Sequence, residues 1–392
     1  MTFTARHSER SEESRSLPEG WRWVKLDEVC EFVYGSGLPA HTRQDGKVPV
    51  YGSNGIVGHH DEPLTTGPTI IIGRKGSIGE VHFSPVACWP IDTTYYIEHT
   101  NIEADLLWLT HWLRALNLHE MNKAAAVPGL NRQDVYAIEI PLPPLAEQRR
   151  ISAILAEQLA AVDRARAATE AQLQAAKALP SAYLRAVFNS PEAQQWPEVL
   201  LSEIAETCSG TTPSRSKLDY YGGSIPWVKT GELVDGAIED TEEHITELAL
   251  QETSLKLLPE HTLLIAMYGQ GQTRGRTGLL ARPATTNQAC FAILPKPEMF
   301  DTEFLQYWFR HSYTRLRSET EGRGGNQPNL NGNVLRGQRI PLPSLSDQRR
   351  IVTTLNERIA MTEQTRKTLE AQLTAINQLP AALLRRAFNG EL

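Results

Sequence analysis

The feature that most constrains this chain is a segment that occurs twice. Residues 141–190 return at 341–390, displaced by 200 residues without a gap. Pro141-Leu142-Pro143 matches Pro341-Leu342-Pro343, and Gln148-Arg149-Arg150-Ile151 matches Gln348-Arg349-Arg350-Ile351. Further on, Glu170-Ala171-Gln172-Leu173 and Leu179-Pro180 recur as Glu370-Ala371-Gln372-Leu373 and Leu379-Pro380, and the copies close on Phe188-Asn189 and Phe388-Asn389. About half of the fifty paired positions are identical. A period of this kind means that one structural unit is used twice.

Each copy carries apolar residues at spacings of three and four. They are Ile151, Leu155, Leu159, Val162, Ala165, Thr169, Leu173 and Ala176 in the first, and Ile351, Leu355, Ile359, Thr362, Thr365, Leu369, Leu373 and Ile376 in the second. That spacing marks one narrow stripe on a helix. No Gly or Pro interrupts it before Pro180 and Pro380. There the chain is expected to kink, or to stop and begin a short final helix. At about 1.5 Å per residue, each long helix should reach roughly 45–50 Å. One narrow stripe cannot bury itself alone, and the other copy is the obvious partner. Ile151, Leu155, Leu159 and Leu173 on the first helix, and Ile351, Leu355, Ile359 and Leu373 on the second, are thus expected to make the helix–helix contact. Such a pair would hold whatever precedes each helix at a fixed distance.

The chain has 392 residues, enough for two or three domains with their own cores. No stretch approaches the eighteen or so consecutive apolar residues of a membrane span. Residues 1–16 are polar and charged, which predicts a disordered tail and no secretory signal. Cys30, Cys88, Cys208 and Cys290 are far apart, so buried free thiols of a cytoplasmic protein are expected, not a disulfide framework or zinc site. Net charge is −7, from 39 basic and 46 acidic residues, which by itself argues against a dedicated nucleic-acid binder. The average hides a polarity. Residues 231–255 hold eight acidic residues and no Lys or Arg, whereas 269–339 hold ten basic against five acidic.

In chain order, residues 24–29 predict a short helix or strand entry. A glycine-rich region follows at Tyr34-Gly35-Ser36-Gly37 and Val50–Gly58. Thr69-Ile70-Ile71-Ile72 leads into Gly73-Arg74-Lys75-Gly76-Ser77-Ile78-Gly79, an apolar β-branched run with a Gly-bracketed polar tip, which is a hairpin signal. Residues 87–89 and 93–97 predict strands, Asp105–His119 an amphipathic helix, and Ala137–Ile140 a strand. The second half repeats this outline loosely: a loop at Ser209–Pro213, a strand at Ile225–Lys229, an apolar run Thr262–Tyr268 with a polar tip Gly269–Arg276, and a helix from Thr302 to about Arg317.

Enzyme signatures are absent. Gly73-Arg74-Lys75-Gly76-Ser77 lacks the spacing of a phosphate-binding G-x-x-x-x-G-K-[ST] loop, and no G-x-G-x-x-G joins a strand to a helix. His59-His60 lack a matching ligand set, and Glu242-Glu243 predict a solvated face. The polar tips carry other chemistry. Arg and Lys reach guanine O6 and N7, Asn and Gln pair with adenine, and Gly lets the backbone approach phosphates. The candidate DNA contacts are Ser53, Asn54, Arg74, Lys75 and Ser77 in the first half. In the second they are Thr211, Lys229, Gln270, Gln272, Arg274, Arg276, Arg323, Asn326 and Gln327. A two-domain scaffold that binds proteins and no DNA is the rival reading. A self-contained methyltransferase lacks its cofactor motifs.

With the repeat, the Pro-Leu-Pro entry, Gln-Arg-Arg-Ile and two differing mixed domains in view, the chain resembles the specificity subunit of type I restriction–modification systems over roughly residues 17–392. Gly73–Gly79 and Thr286-Asn287-Gln288 also resemble that family's target-recognition domains. The resemblance implies an α+β protein: two mixed α/β target-recognition domains (17–140 and 191–340), separated by two long helices (141–190 and 341–392) packed as an antiparallel coiled coil, with a pseudo-two-fold internal repeat. Each domain would read one half of a bipartite asymmetric site in double-stranded DNA. The helices would set the spacer and dock two methyltransferase subunits, with Gln148, Arg149, Arg150, Gln348, Arg349 and Arg350 as candidate partner contacts. Restriction endonuclease/translocase subunits would complete the complex. The chain itself would bind no cofactor. S-adenosylmethionine would belong to the methyltransferase, and ATP and Mg to the endonuclease.

Overall fold

A computed structural model describes residues 17–122, 129–269, 271–319 and 330–392; the expected tail at 1–16 lies outside them. The chain divides into two compact units, the described residues up to Glu170 together with Ala371–Leu392, and Ala171–Glu370. Both cuts fall inside a long helix.

In the first unit, Arg22–Lys25 pairs antiparallel with Glu139–Leu142. That second strand lies two residues later than expected, because Asn131 caps a short helix, Arg132–Tyr136, that takes up the preceding residues. The main sheet is antiparallel, in the order Val33–Tyr34, Thr94–Ile97, Thr69–Gly73, Val81–Ser84. A smaller sheet orders Gly55–His60, Val48–Gly52 and Trp89–Pro90, the last pair running parallel. Thr69–Gly73 is buried at every position. Successive side chains point to opposite faces of a strand, so Ile70 and Ile72 join the main core with Trp108 and Trp112, while Ile71 meets Tyr51 and Cys88. The helix that covers this sheet, Leu106–Ala115, starts where the Asp105 carboxylate accepts from the Trp108 amide at 2.8 Å. It ends earlier than expected: Asn117 adopts φ 51°, and Leu118–Asn122 continues as a 3-10 turn.

The second unit uses the same strand order. Glu198–Leu200 pairs with Arg339–Pro341. The main sheet runs Thr207–Ser209, Cys290–Ile293, Leu263–Ala266, Thr277–Leu280, with Gly236–Ile238 added in parallel at the edge. The smaller sheet orders His244–Ile245, Tyr221–Val228 and Thr285–Thr286, and its last pair is again parallel. Globular halves that agree only in outline as sequences thus share one topology. The covering helix, Thr302–Glu319, buries Phe304, Leu305, Trp308 and Phe309 against Leu263, Ile265, Phe291 and Ile293.

The long helices, Leu145–Phe188 and Leu345–Phe388, have 44 residues each. At about 1.5 Å per residue this is about 66 Å, longer than expected. They neither stop nor restart at Pro180 and Pro380. A mid-helix proline costs about 3 kcal/mol, and buried side chains on both sides of it, Ala176 and Leu184 in the first helix, hold the helix through it. Within the first unit the helices are antiparallel: Arg150 Nη2 donates to the Leu392 carbonyl at 2.7 Å and Arg166 Nε to Asn377 Oδ1 at 2.9 Å. Within the second, Arg350 lies 3.7 Å from Glu192, and Thr362 Oγ1 donates to the Tyr183 hydroxyl at 3.4 Å. Ile151 and Leu155 do more than face another helix. They enter the first core together with Leu384, Ala387 and Phe388, and Ile351 and Leu355 enter the second with Leu184 and Phe188. Val162, Thr169, Leu173 and Leu369 are buried, Leu159, Ile359, Leu373 and Ile376 half-buried, and Ala165 and Thr365 exposed. The stripe is narrower than its sequence suggests. Of the cysteines, Cys30, Cys88 and Cys290 are buried free thiols and Cys208 is half-buried. Burial pushes the Cys30 thiol up to about 12.

His111, on the helix covering the first sheet, is buried with neither ring nitrogen partnered. Burial and then the Arg114 guanidinium hold its imidazole down at about 4, against a pull from Asp105. The unfolded chain therefore takes the proton first. Its contribution is complete above about pH 6.5 and is lost as pH falls toward 4, on the order of 3 kcal/mol. Urea midpoints of wild type and His111→Leu, compared at pH 7.5 and 4.5, should diverge. Equal acid sensitivity would remove His111 as a cause.

Candidate nucleic-acid interface

In the first unit, five candidates meet. Ser53 and Asn54 form the turn between Val48–Gly52 and Gly55–His60, and Arg74, Lys75 and Ser77 form the tip after Thr69–Gly73. The turns touch: a Cβ on Gly73 would lie 3.1 Å from Ser53 Cβ, and one on Gly76 3.2 Å from Ser53 Oγ. Gly79 has φ +80°, and a Cβ there would meet the His119 backbone nitrogen at 2.3 Å, so glycine alone lets the hairpin close onto the 3-10 turn. Asn54 and Lys75 are exposed, Arg74 and Ser77 half-buried, and Ser53 buried.

Arg74 is the organised member. Its Nη2 donates to the Asp92 carbonyl at 2.7 Å, and its guanidinium lies 5.2 Å from the Tyr34 ring centre and 5.9 Å from that of Tyr95. Its own carbonyl accepts from the Leu130 amide at 3.0 Å. Burial, then Tyr34, pushes the Tyr95 hydroxyl up to about 12, against Arg74 and Arg132. Sequence reasoning missed Tyr34, Tyr95 and Arg132. Tyr34 directly precedes the Gly35 turn, which was a local signal; Arg132 lies 58 positions after Arg74 and gave none.

The second unit is arranged differently. Arg274 does not project from its tip. It is 5% exposed, its Nη2 donates to the Arg317 carbonyl at 3.4 Å, and its own carbonyl accepts from Arg317 Nη1 at 2.9 Å. The tip folds back on the Thr302–Glu319 helix, with Tyr313 Oη donating to the Gln272 carbonyl at 2.7 Å and Arg317 Nη2 to that of Gly271 at 2.8 Å. Gln272 and Arg276 remain accessible and bond each other at 3.2 Å. Thr211 and Lys229 belong to a second group. Thr211 Oγ1 lies 3.0 Å from Ser254 Oγ, and Lys229 Nζ is 3.0 Å from both Glu242 and Glu243. Arg215, which the sequence reading missed, stacks 4.6 Å from Tyr221 and 5.2 Å from Trp227 and also pairs with Glu243. Hydrogen bonds from Arg215 and then Lys229 pull the Glu243 carboxyl down to about 2. Glu243 is thus an ion-pair hub, not one of a merely solvated pair. Gln270, Arg323, Asn326 and Gln327 lie outside the described residues.

The expected partner contacts separate into two kinds. Gln148 and Gln348 are 0% and 1% exposed. Gln148 Oε1 accepts from the Asp105 amide at 2.7 Å while its Nε2 donates to the Pro143 carbonyl at 2.8 Å. Gln348 does the same with Asp301 and Pro343, each at 2.8 Å. Their amides are committed inside their own units, which corrects their assignment as partner contacts. Arg150 and Arg350 are exposed and pair with Glu147 and Asp347. Arg149 and Arg349 are exposed with no side-chain partner among the described residues. His60 is buried and its Nδ1 accepts from the Gln44 amide, and no metal-binding group of three or more His, Cys, Asp or Glu occurs among the described residues. No helix among them is long and apolar enough to cross a membrane.

Two like domains with different polar tips on paired helices define a duplicated recognition protein. The chain belongs to the type I restriction modification DNA specificity domain family, whose model matches residues 18–175 and again 193–375. Relatives include the EcoBI specificity subunit of Escherichia coli, 24% identical over all of this chain and 91% of that protein, and the EcoDI subunit of the same species, 23% identical over 96% and 89%. The MjaIX specificity subunit of Methanocaldococcus jannaschii is 31% identical over 42% of this chain; the matched stretch is 38% of that protein's length, and 55% for the EcoR124I/EcoR124II subunit. The fold is that of the HsdS subunit from Thermoanaerobacter tengcongensis, at TM-score 0.65 and 22% identity, covering 98% of this chain and all of that one.

Proposed function

We propose that this chain is the sequence-reading subunit of a type I restriction–modification complex. Each unit reads one half of a bipartite, asymmetric DNA site, and the long helices set the gap and dock two methyltransferase subunits. Those subunits supply S-adenosylmethionine and the adenine methylation chemistry, and endonuclease/translocase subunits supply ATP- and Mg-dependent cleavage. The complex works in the cytoplasm, and this chain catalyses nothing. The observation that carries the reading is one strand order used twice with different side chains at the tips. A shared scaffold with unlike contact residues suits two unlike half-sites. Half-sites about 34–36 Å apart, one duplex turn, would face the same side of the DNA. The acidic total is compatible with this, because partner subunits can neutralise further phosphates.

The test places the chain with its cognate methyltransferase subunit in a methylation-free bacterial host and maps modified adenines across the genome. One motif of two short half-sites with a fixed gap is expected. A modified motif without a gap would break the two-reader reading, and no modification by a demonstrably active partner would favour a protein-binding scaffold.

A further inference from the structure

The Arg132 guanidinium lies 5.1 Å from the Tyr34 ring centre, against 5.2 Å for Arg74. Two full positive charges thus share one aromatic ring and are no more than about 10 Å apart. That is comparable to the Debye length of about 8 Å at physiological salt, so their repulsion is only partly screened. Among the described residues, neither has a carboxylate within ion-pair distance. Each guanidinium spends a donor on a backbone carbonyl, Arg74 on Asp92 and Arg132 on Phe32 at 3.0 Å, and retains further N–H groups. Arg74 Nε is buried with no acceptor. Tyr34, which both guanidiniums approach, is 52% exposed, and the cation of Lys75 follows on the same tip.

Local packing supports this arrangement. Tyr34 packs 5.0 Å from Tyr95, Phe32 lies between Tyr95 and Tyr136, and the Phe32 amide donates to the Tyr136 hydroxyl at 2.7 Å. Arg132 begins the short helix that carries Tyr136, so both cations are fixed to one aromatic block. We infer that Arg74, Tyr34 and Arg132 form an anion clamp that takes a backbone phosphate of the DNA beside the first half-site. This rests on the DNA-reading function proposed above. A guanidinium pair with spare donors is suited to phosphate oxygens, and among the described residues no carboxylate pairs with either cation. Among its described residues the second unit places no counterpart of Tyr34 and Arg132. Ser209 pairs with Phe291 where Tyr34 pairs with Tyr95, and Gly332 stands 200 residues after Arg132. Arg215, which stacks on Tyr221 and Trp227 there, is already held by Glu243.

The test uses the full chain assembled with its methyltransferase subunits, and a fluorescent duplex bearing the motif recovered from the modified genome, with a scrambled duplex beside it. Arg132→Gln keeps a long polar side chain that can still reach the Phe32 carbonyl. It should weaken binding about tenfold on both duplexes and lower the slope of log affinity against log salt by about one, the signature of one lost phosphate contact. Tyr34→Leu should show the same defect through loss of the ring, while Tyr34→Phe should restore binding. Wild-type affinity and an unchanged salt slope for Arg132→Gln would overturn the clamp. Loss on the motif duplex alone would overturn it too, since that marks a base contact. If the wild-type complex binds neither duplex, the DNA-reading function itself fails, which is a separate result.

Discussion

Lys75→Glu is expected to weaken DNA binding by the assembled complex by about a hundredfold and to abolish modification at whole sites, not only at one half. Lys75 is exposed at the tip of the first hairpin, and among the described residues its ammonium has no hydrogen-bond or ion-pair partner. The substitution should therefore leave the melting temperature unchanged. Opposite a phosphate or a guanine edge, a carboxylate brings like-charge repulsion worth several kcal/mol, and each factor of ten in affinity is about 1.4 kcal/mol. On the proposed reading a bipartite site needs both readers, so damage to the first should silence methylation even where the second half-site is intact. Lys75→Gln, which only removes the charge, should cost about tenfold and lower the salt slope by about one. Fluorescence anisotropy with the motif duplex gives both quantities. Wild-type binding by Lys75→Glu would show that this tip does not touch DNA.

Gln148→Leu and Gln348→Leu are expected to destabilise their own units by about 3 kcal/mol each. Leucine has nearly the same volume but leaves two backbone groups without partners, the amide that starts the covering helix and the carbonyl of the Pro-Leu-Pro entry. Each buried unsatisfied group costs about 1–3 kcal/mol. Against a typical total of 5–15 kcal/mol, such a loss is readily seen by chemical denaturation. The two variants should act alike, because the bonds around Gln148 and Gln348 agree to within 0.1 Å. Unchanged stability with lost methyltransferase binding would instead return these glutamines to the partner surface. Arg149, Arg150, Arg349 and Arg350 are the exposed residues of that motif and remain its proposed partner contacts.

This motif also shows where sequence reasoning stops. Gln-Arg-Arg-Ile at 148 and 348 marks the repeat with no structure in hand, but not which side chains point inward. Gln148 is invisible as a core residue because its partner, Asp105, lies 43 positions away. Arg274 is a similar case. Its Gly-rich surroundings match those of Arg74, yet Arg317, 43 positions later on the covering helix, takes its guanidinium, and the side chain is buried.

The sequence alone determines the duplication, the long helices, the paired hairpins with polar tips, and the absence of cofactor motifs, because these depend on periodicity and neighbouring residues. Only the tertiary structure decides that each unit combines the start of one long helix with the end of the other, so that Phe388 packs on Trp108 and Phe188 on Phe304. It alone shows that the two globular halves share a strand order including a parallel pair, and that Tyr34, Arg74 and Arg132 meet around one ring. These contacts join residues tens to hundreds of positions apart. Burial and charge select them only once the chain has closed on itself, and no local pattern records them.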